Sequence, residues 1–237
     1  MASDHGFSTH TNALKLADAV APFSRPMPDG TPDIVVTEGA VNFRGTVDPA
    51  RVRAVVAELQ KRPEVGAIFT RPSSPASMQG AVPGTLSFNV ARWNHARSAE
   101  IMISANWTDA KNSAGMPGNT TQSGVAGHGT SSPFDVHNTL MAAGPDFRAR
   151  ATSAVPTSNA DLAPTLLHLL GIAVPASMTG RVIDEGLVSG PAPASVRVTR
   201  RDETARTADG SYQVTAHISL VGERRYLDYT STRRANQ

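Results

Sequence analysis

A chain of 237 residues with a 40% hydrophobic share is long enough to bury a substantial core and too apolar for wholesale disorder. Its 22 basic and 20 acidic residues leave a net charge of only +2, and the arginine-rich pieces Arg200-Arg201 and Arg233-Arg234 are too scattered for a nucleic-acid stripe, so no nucleic-acid partner is expected. The absence of cysteine excludes disulfides and thiolate metal sites, and the lack of a long apolar run excludes a membrane segment; the oligomeric state stays open.

In chain order, Ser3-Asp4-His5-Gly6 comes first. Neighbours on a straight strand point to opposite faces, but just past a strand end, with glycine freeing the next position, Asp4 and His5 can turn toward one point. Residues 7–32 mix polar residues with proline and glycine and predict a loop with at most a short helix near 13–21. Residues 33–36 and 40–43 predict a two-strand unit turning at Glu38-Gly39. Asp48 is a good N-cap and Pro49 a good first helical residue. Val52, Val55, Val56 and Leu59 then form one apolar stripe of a helix that ends before Pro63.

Residues 65–69 predict a short buried strand, 71–84 a surface loop, and 84–88 and 99–104 the next strands. The stretch 106–131 is poor in apolar residues and predicts a long loop, which its end at His128 marks as functional. Within it Asn106, Trp107 and Asp109 read equally as substrate contacts or as a solvated loop. Residues 138–143 predict a strand closed by Gly144-Pro145. A helix over 160–170 starts at Ser158 or Asn159 and stops at Gly171. From 195 the pattern turns to strands, at 195–199, 212–218 and 225–229, with an Asp209-Gly210 turn. The division is an α/β part over 1–190 and a β-hairpin-like tail over 191–237.

Two stretches carry donor chemistry. Carboxylate oxygen and imidazole nitrogen suit zinc, which takes about four such ligands. Asp4 and His5 supply one of each, and in Gly127-His128-Gly129 the flanking glycines let a loop come close to an ion. Each piece alone is as well explained by a solvated turn or a flexible loop. Asp135 and His137, close behind His128, are candidates to bond to its ring and orient it, with a helix-cap or surface role as the alternative.

The order Ser3-Asp4-His5-Gly6, then Gly127-His128-Gly129 before Asn138-Thr139-Leu140 and Ala143-Gly144-Pro145-Asp146-Phe147, then Asn159-Ala160-Asp161 with Pro164-Thr165, resembles the C-terminal half of the alkaline phosphatase superfamily. Its type I phosphodiesterase/nucleotide pyrophosphatase branch is the nearest in pattern. Thr179-Gly180-Arg181-Val182 is similar to a Gly-Arg-Val segment of that family, with Thr179 where aspartate is usual.

The resemblance implies an alkaline phosphatase-like three-layer α/β sandwich and a metal-dependent hydrolase of phosphodiester or pyrophosphate bonds, acting on a small-molecule phosphoester. It also implies two divalent metal ions, zinc in most members. Asp4 and His5 match the Asp-His pair on the metal beside the nucleophile, and His128 matches the histidine on the other metal. The nucleophile and the remaining ligands belong to the family's other half, expected upstream of Met1, so the chain alone is expected to be inactive. Members are often periplasmic or secreted, and no signal peptide precedes the Asp-His motif. The alternatives are a sulfatase-like member, whose Cys/Ser-x-Pro-x-Arg motif is absent here, and a catalytically inactive fragment.

Overall fold

Local signals account for the first layer of structure in the computed structural model, which describes residues 1–235. Strand β1 (Ser8–His10) and helix α1 (Leu16–Val20) come first, followed by β2 (Ile34–Thr37) and β3 (Ala40–Phe43). Thr37 pairs with Ala40 across a two-residue turn in which Glu38 has φ 46° and Gly39 φ 86°, a left-handed pair that matches the twist of a tight hairpin. The Asp48 side chain accepts the Ala50 N–H at 2.8 Å and opens α2 (Pro49–Lys61). The stripe Val52, Val55, Val56 and Leu59 is buried. It packs toward β4 (Val65–Thr70), all six residues of which are buried.

With β5 (Leu86–Ser87) and β6 (Ile101–Ala105), these strands make a five-stranded sheet in the order β2-β3-β6-β4-β5. Only β4 and β5 run parallel. The strand expected over 84–88 shrinks to two residues.

The expected long loop over 106–131 instead holds three strands, β7 (Trp107–Lys111), β8 (Pro117–Thr120) and β9 (Ala126–Gly127). With β1 they form a second sheet, β7-β8-β1-β9. Their apolar content is low because side-chain bonds share the work of holding them: Asn119 Nδ2 donates to the Ala110 carbonyl at 2.7 Å and Asn112 Nδ2 to Thr9 Oγ1 at 2.9 Å. After β9 come α3 (Pro133–Val136), a 3-10 turn (Asn159–Asp161) and α4 (Leu162–Leu169). The strand expected over 138–143 is absent. Leu140 makes a single bridge to Ala2, and Leu140 and Met141 are exposed, so no buried face holds a strand there.

The third sheet is a meander of β10 (Val198–Arg206), β11 (Tyr212–Val221) and β12 (Arg224–Arg234), antiparallel throughout. Its first turn holds Asp209-Gly210 as expected, with Gly210 at φ 70°. The strands run longer than expected because a second tight turn at Gly222 (φ 57°) closes β11 directly onto β12. Tyr212, Val214, Ala216 and Ile218 point inward and share one apolar cluster with Val55, Leu59, Ile68 and Phe69. Tyr212 Oη donates to the Gly66 carbonyl at 2.7 Å, and burial holds this phenol well above its ordinary pKa.

A second buried knot joins the 159–161 and 180–182 stretches. Asp161 accepts the Arg181 N–H at 2.8 Å and the Tyr226 hydroxyl at 3.0 Å, while the Arg181 guanidinium grips both oxygens of Glu185 at 2.7 Å. Burial pushes the Tyr226 phenol up to about 12, helped by the Asp161 charge. A side chain at Gly180 would put its Cβ 2.0 Å from the Ala160 carbonyl oxygen, so only glycine lets the two stretches meet. The molecule is thus mixed α/β, with three sheets and few helices among the described residues, none of which is long and apolar enough to cross a membrane.

Candidate metal-binding site

The N-terminal segment lies along residues 134–141, and this placement builds the site. Ser3 N–H donates to the Thr139 carbonyl at 3.0 Å, Gly6 N–H to Asp135 at 2.8 Å and Phe7 N–H to Phe134 at 2.8 Å. Gly6 is required for closeness rather than for an unusual backbone angle: a Cβ there would sit 1.9 Å from the Phe134 oxygen and 2.4 Å from that of His137. The chain then enters β1, where Ser8 pairs antiparallel with Gly127 of β9. Because the strands run in opposite directions, stepping back from Ser8 and forward from Gly127 leads to the same place. His5 and His128 meet there.

Asp4, His5 and His128 are brought together, but not where an open parallel sheet would put them. Open parallel α/β sheets gather ligands at the carboxyl ends of their strands. Asp4 and His5 instead lie in a bend ahead of β1, in a sheet whose β1–β8 pair alone is parallel. The His5 and His128 rings stack with centroids 3.4 Å apart and planes 17° from parallel. Phe7 flanks His128 at 6.4 Å. His5 Nδ1 is 2.7 Å from the Gly6 carbonyl oxygen. A carbonyl can only accept, so Nδ1 carries the hydrogen and the Nε2 of the neutral ring is a bare lone pair. That Nε2 faces Asp4 Oδ2 at 3.3 Å. Two acceptors so placed call for a cation between them, a proton on the ring or a metal ion.

The donor set fits zinc in kind, while its count and aim fall short of a closed site. The stacked rings present their faces to each other, so their nitrogens do not aim at one ion. Among the described residues no group of three or more His, Asp or Glu side chains is placed to hold a single ion. The Asp4 side chain is 85% exposed, which leaves its oxygens hydrated and open to an added ligand.

Asp135 is buried and works on the His128 loop at one remove. Its Oδ2 accepts from both the N–H (3.0 Å) and the hydroxyl (2.6 Å) of Thr130, two residues past His128, while its Oδ1 is buried without a partner. The Ser132 hydroxyl in turn accepts the Asp135 N–H at 3.2 Å. Thr130 escaped sequence reasoning, although the Ser132-x-x-Asp135 cap pattern was its available signal. His137 ends α3 and is exposed; its backbone carbonyl crowds Gly6. Asn106 and Trp107 tie main chain together, through Nδ2 to the Pro63 carbonyl at 2.9 Å and Nε1 to that of Thr230 at 2.6 Å, whereas Asp109 is exposed.

Beside the His128 loop opens a cavity of about 480 Å³, reached from solvent and lined by Leu14, Leu16, Val36, Gln122, Gly129 and Thr130 among others. Comparison with known proteins finds no matching family model, no matching curated protein and no matching solved structure.

Proposed function

We propose that this chain is part of a metal-dependent hydrolase of phosphodiester or pyrophosphate bonds, built on an alkaline phosphatase-type three-layer sandwich. The observation that carries the reading is the meeting of Asp4 and His5 with His128, from stretches more than a hundred residues apart, with the His5 lone pair turned to the Asp4 carboxylate. Asp4 and His5 Nε2 would hold one divalent ion and His128 would contribute to a second, both zinc. Such ions supply charge stabilisation and an activated oxygen nucleophile.

The chain's own residues do the placing. The Gly6 carbonyl fixes the His5 tautomer, Asp135 sets the loop behind His128 through Thr130, and the cavity beside Gly129 has room for a small phosphoester. On this reading the nucleophile and the remaining ligands come from the family's other half.

Calorimetric titration of zinc into the 237-residue chain tests the site. Weak binding is expected, falling about tenfold or more in each of Asp4→Asn and His128→Ala. Hydrolysis of bis(p-nitrophenyl) phosphate should stay at background. Zinc affinity that is absent, or unchanged in both variants, overturns the proposal.

A further inference from the structure

The outward face of the third sheet carries three linked side chains that the metal centre does not use. Strand register sets Asp202 of β10 opposite His217 of β11, and His217 opposite Tyr229 of β12. Asp202 Oδ1 lies 3.0 Å from His217 Nδ1, and Ser231 Oγ lies 2.9 Å from His217 Nε2. An ionised carboxylate only accepts, so Nδ1 carries the hydrogen. In the neutral ring Nε2 then accepts from the serine hydroxyl. The Tyr229 ring stacks on the imidazole at 4.2 Å, and Trp107 braces Tyr229 edge-on at 5.8 Å, so the histidine is held in orientation from its face as well as its edges.

A plain polar ladder is the competing explanation. One step of such a ladder stands next to it: Thr204 and Thr215 share a single hydroxyl–hydroxyl bond at 2.9 Å. The His217 arrangement differs in that one ring bridges an acid and a hydroxyl in the order that activates a nucleophile. The ring is 24% exposed, so a ligand can reach it. Thr215 stands opposite Ser231, and exposed Arg233 follows two residues on along the same strand. Both lie on the same face of the sheet as Ser231 and carry groups able to donate hydrogen bonds.

We propose that this face is an acyl-transfer centre for small carboxylic esters, with Ser231 as nucleophile, His217 as general base and Asp202 as the positioning residue. Ser231 Oγ bonds to the ester carbonyl carbon as its proton passes to His217 Nε2. The bond from that carbon to the alcohol oxygen then breaks, and the proton leaves with the alcohol. Water repeats the sequence on the acyl-serine, releasing the carboxylic acid and restoring the Ser231 hydroxyl.

The test pairs p-nitrophenyl acetate turnover with fluorophosphonate labelling, both on the full chain with a metal chelator present, so that failure of the metal reading leaves this one standing. Turnover should persist in chelator, fall about 100-fold in Ser231→Ala and His217→Ala, and stay unchanged in Thr199→Ala, an exposed position of β10 outside the cluster. Peptide mass spectrometry should place the label on Ser231 of the unmodified protein, a result that needs no variant to fold. Asp202→Asn should move the pH–rate profile, which a merely structural contact would not. Label absent from Ser231, turnover equal in Ser231→Ala, or a profile unmoved by Asp202→Asn each overturns the proposal.

Discussion

The sheet built around β1 and the C-terminal meander solve the same problem in opposite ways. The first gathers strands of two to five residues from positions more than a hundred apart, and seats them by close approach at Gly6 and Gly127. The second folds three consecutive strands of nine to eleven residues on tight turns and buries alternate side chains of β11 from Tyr212 to Ile218. Where apolar side chains do the holding, the pattern is periodic and damage spreads through the core. Where backbone contact does it, the requirement falls on a few positions that must carry no side chain.

Changes chosen on each side sharpen this contrast. The largest loss is expected at the knot that ties β12 to the α4 region. Arg181→Ala strands the buried Glu185 carboxylate and should cost about 3–5 kcal/mol in chemical denaturation. Next comes Ile218→Ala, which opens the shared core from the meander side. It should cost about 2–5 kcal/mol and lower the unfolding midpoint of the whole molecule in one transition.

Gly6→Ala should cost less, about 1–3 kcal/mol, because its Cβ must push the Phe134 carbonyl aside. Here the signature is local: amide exchange should rise at residues 3–7 and 134–141 while β4 stays protected. Uniform exchange across both regions would erase the distinction drawn here.

The patterns legible in the sequence were those with nearby causes. Asp48-Pro49 with its valine stripe, the Glu38-Gly39 turn and the Asp209-Gly210 turn each depend on residues within a few positions, and each stands as expected. Strands β7 to β9 escaped notice because Thr108, Asp109, Asn119 and Thr120 show no apolar alternation; their partners are distant backbone and amide groups. The 138–143 segment misled for the converse reason, since Leu140 and Met141 have strand-like character but no surface to cover.

At the site, the donor residues Asp4, His5 and His128 could be picked out, whereas the ring stacking and the His5 tautomer depend on β1–β9 register. Asp202 and Ser231 lay outside the strands expected at 195–199 and 225–229, so nothing in the sequence set them beside His217. Only the bulge between His217 and Ile218 and the cross-strand register reveal that they touch.

The smallest effect concerns acid. The Arg51 guanidinium at 2.7 Å, with the Arg25 N–H, holds the Asp33 carboxyl well below the usual carboxylate range. A depressed folded-state value means that the pair's contribution is fully present above the unfolded value, ~3.9, and is lost as pH falls toward the folded one. Thermal melts between pH 6 and pH 2 should therefore show a shallower acid decline for Asp33→Asn than for the unchanged protein. Parallel curves would remove Asp33 from the account.

The position of β1 between β8 and β9 also dictates a timetable. Residues 8–10 leave the ribosome well before either neighbour, since both neighbours lie beyond residue 116. At typical elongation speeds of ~5–20 residues per second, roughly 6 to 25 seconds pass between the making of β1 and the making of β9. The five-stranded sheet, whose last strand ends at Ala105, can close within that interval. Strand β1 must wait outside it, unpaired, and then thread into a gap between two newly formed strands. Such distant pairing slows folding. It makes strand β1 dependent, during synthesis, on being kept from other company.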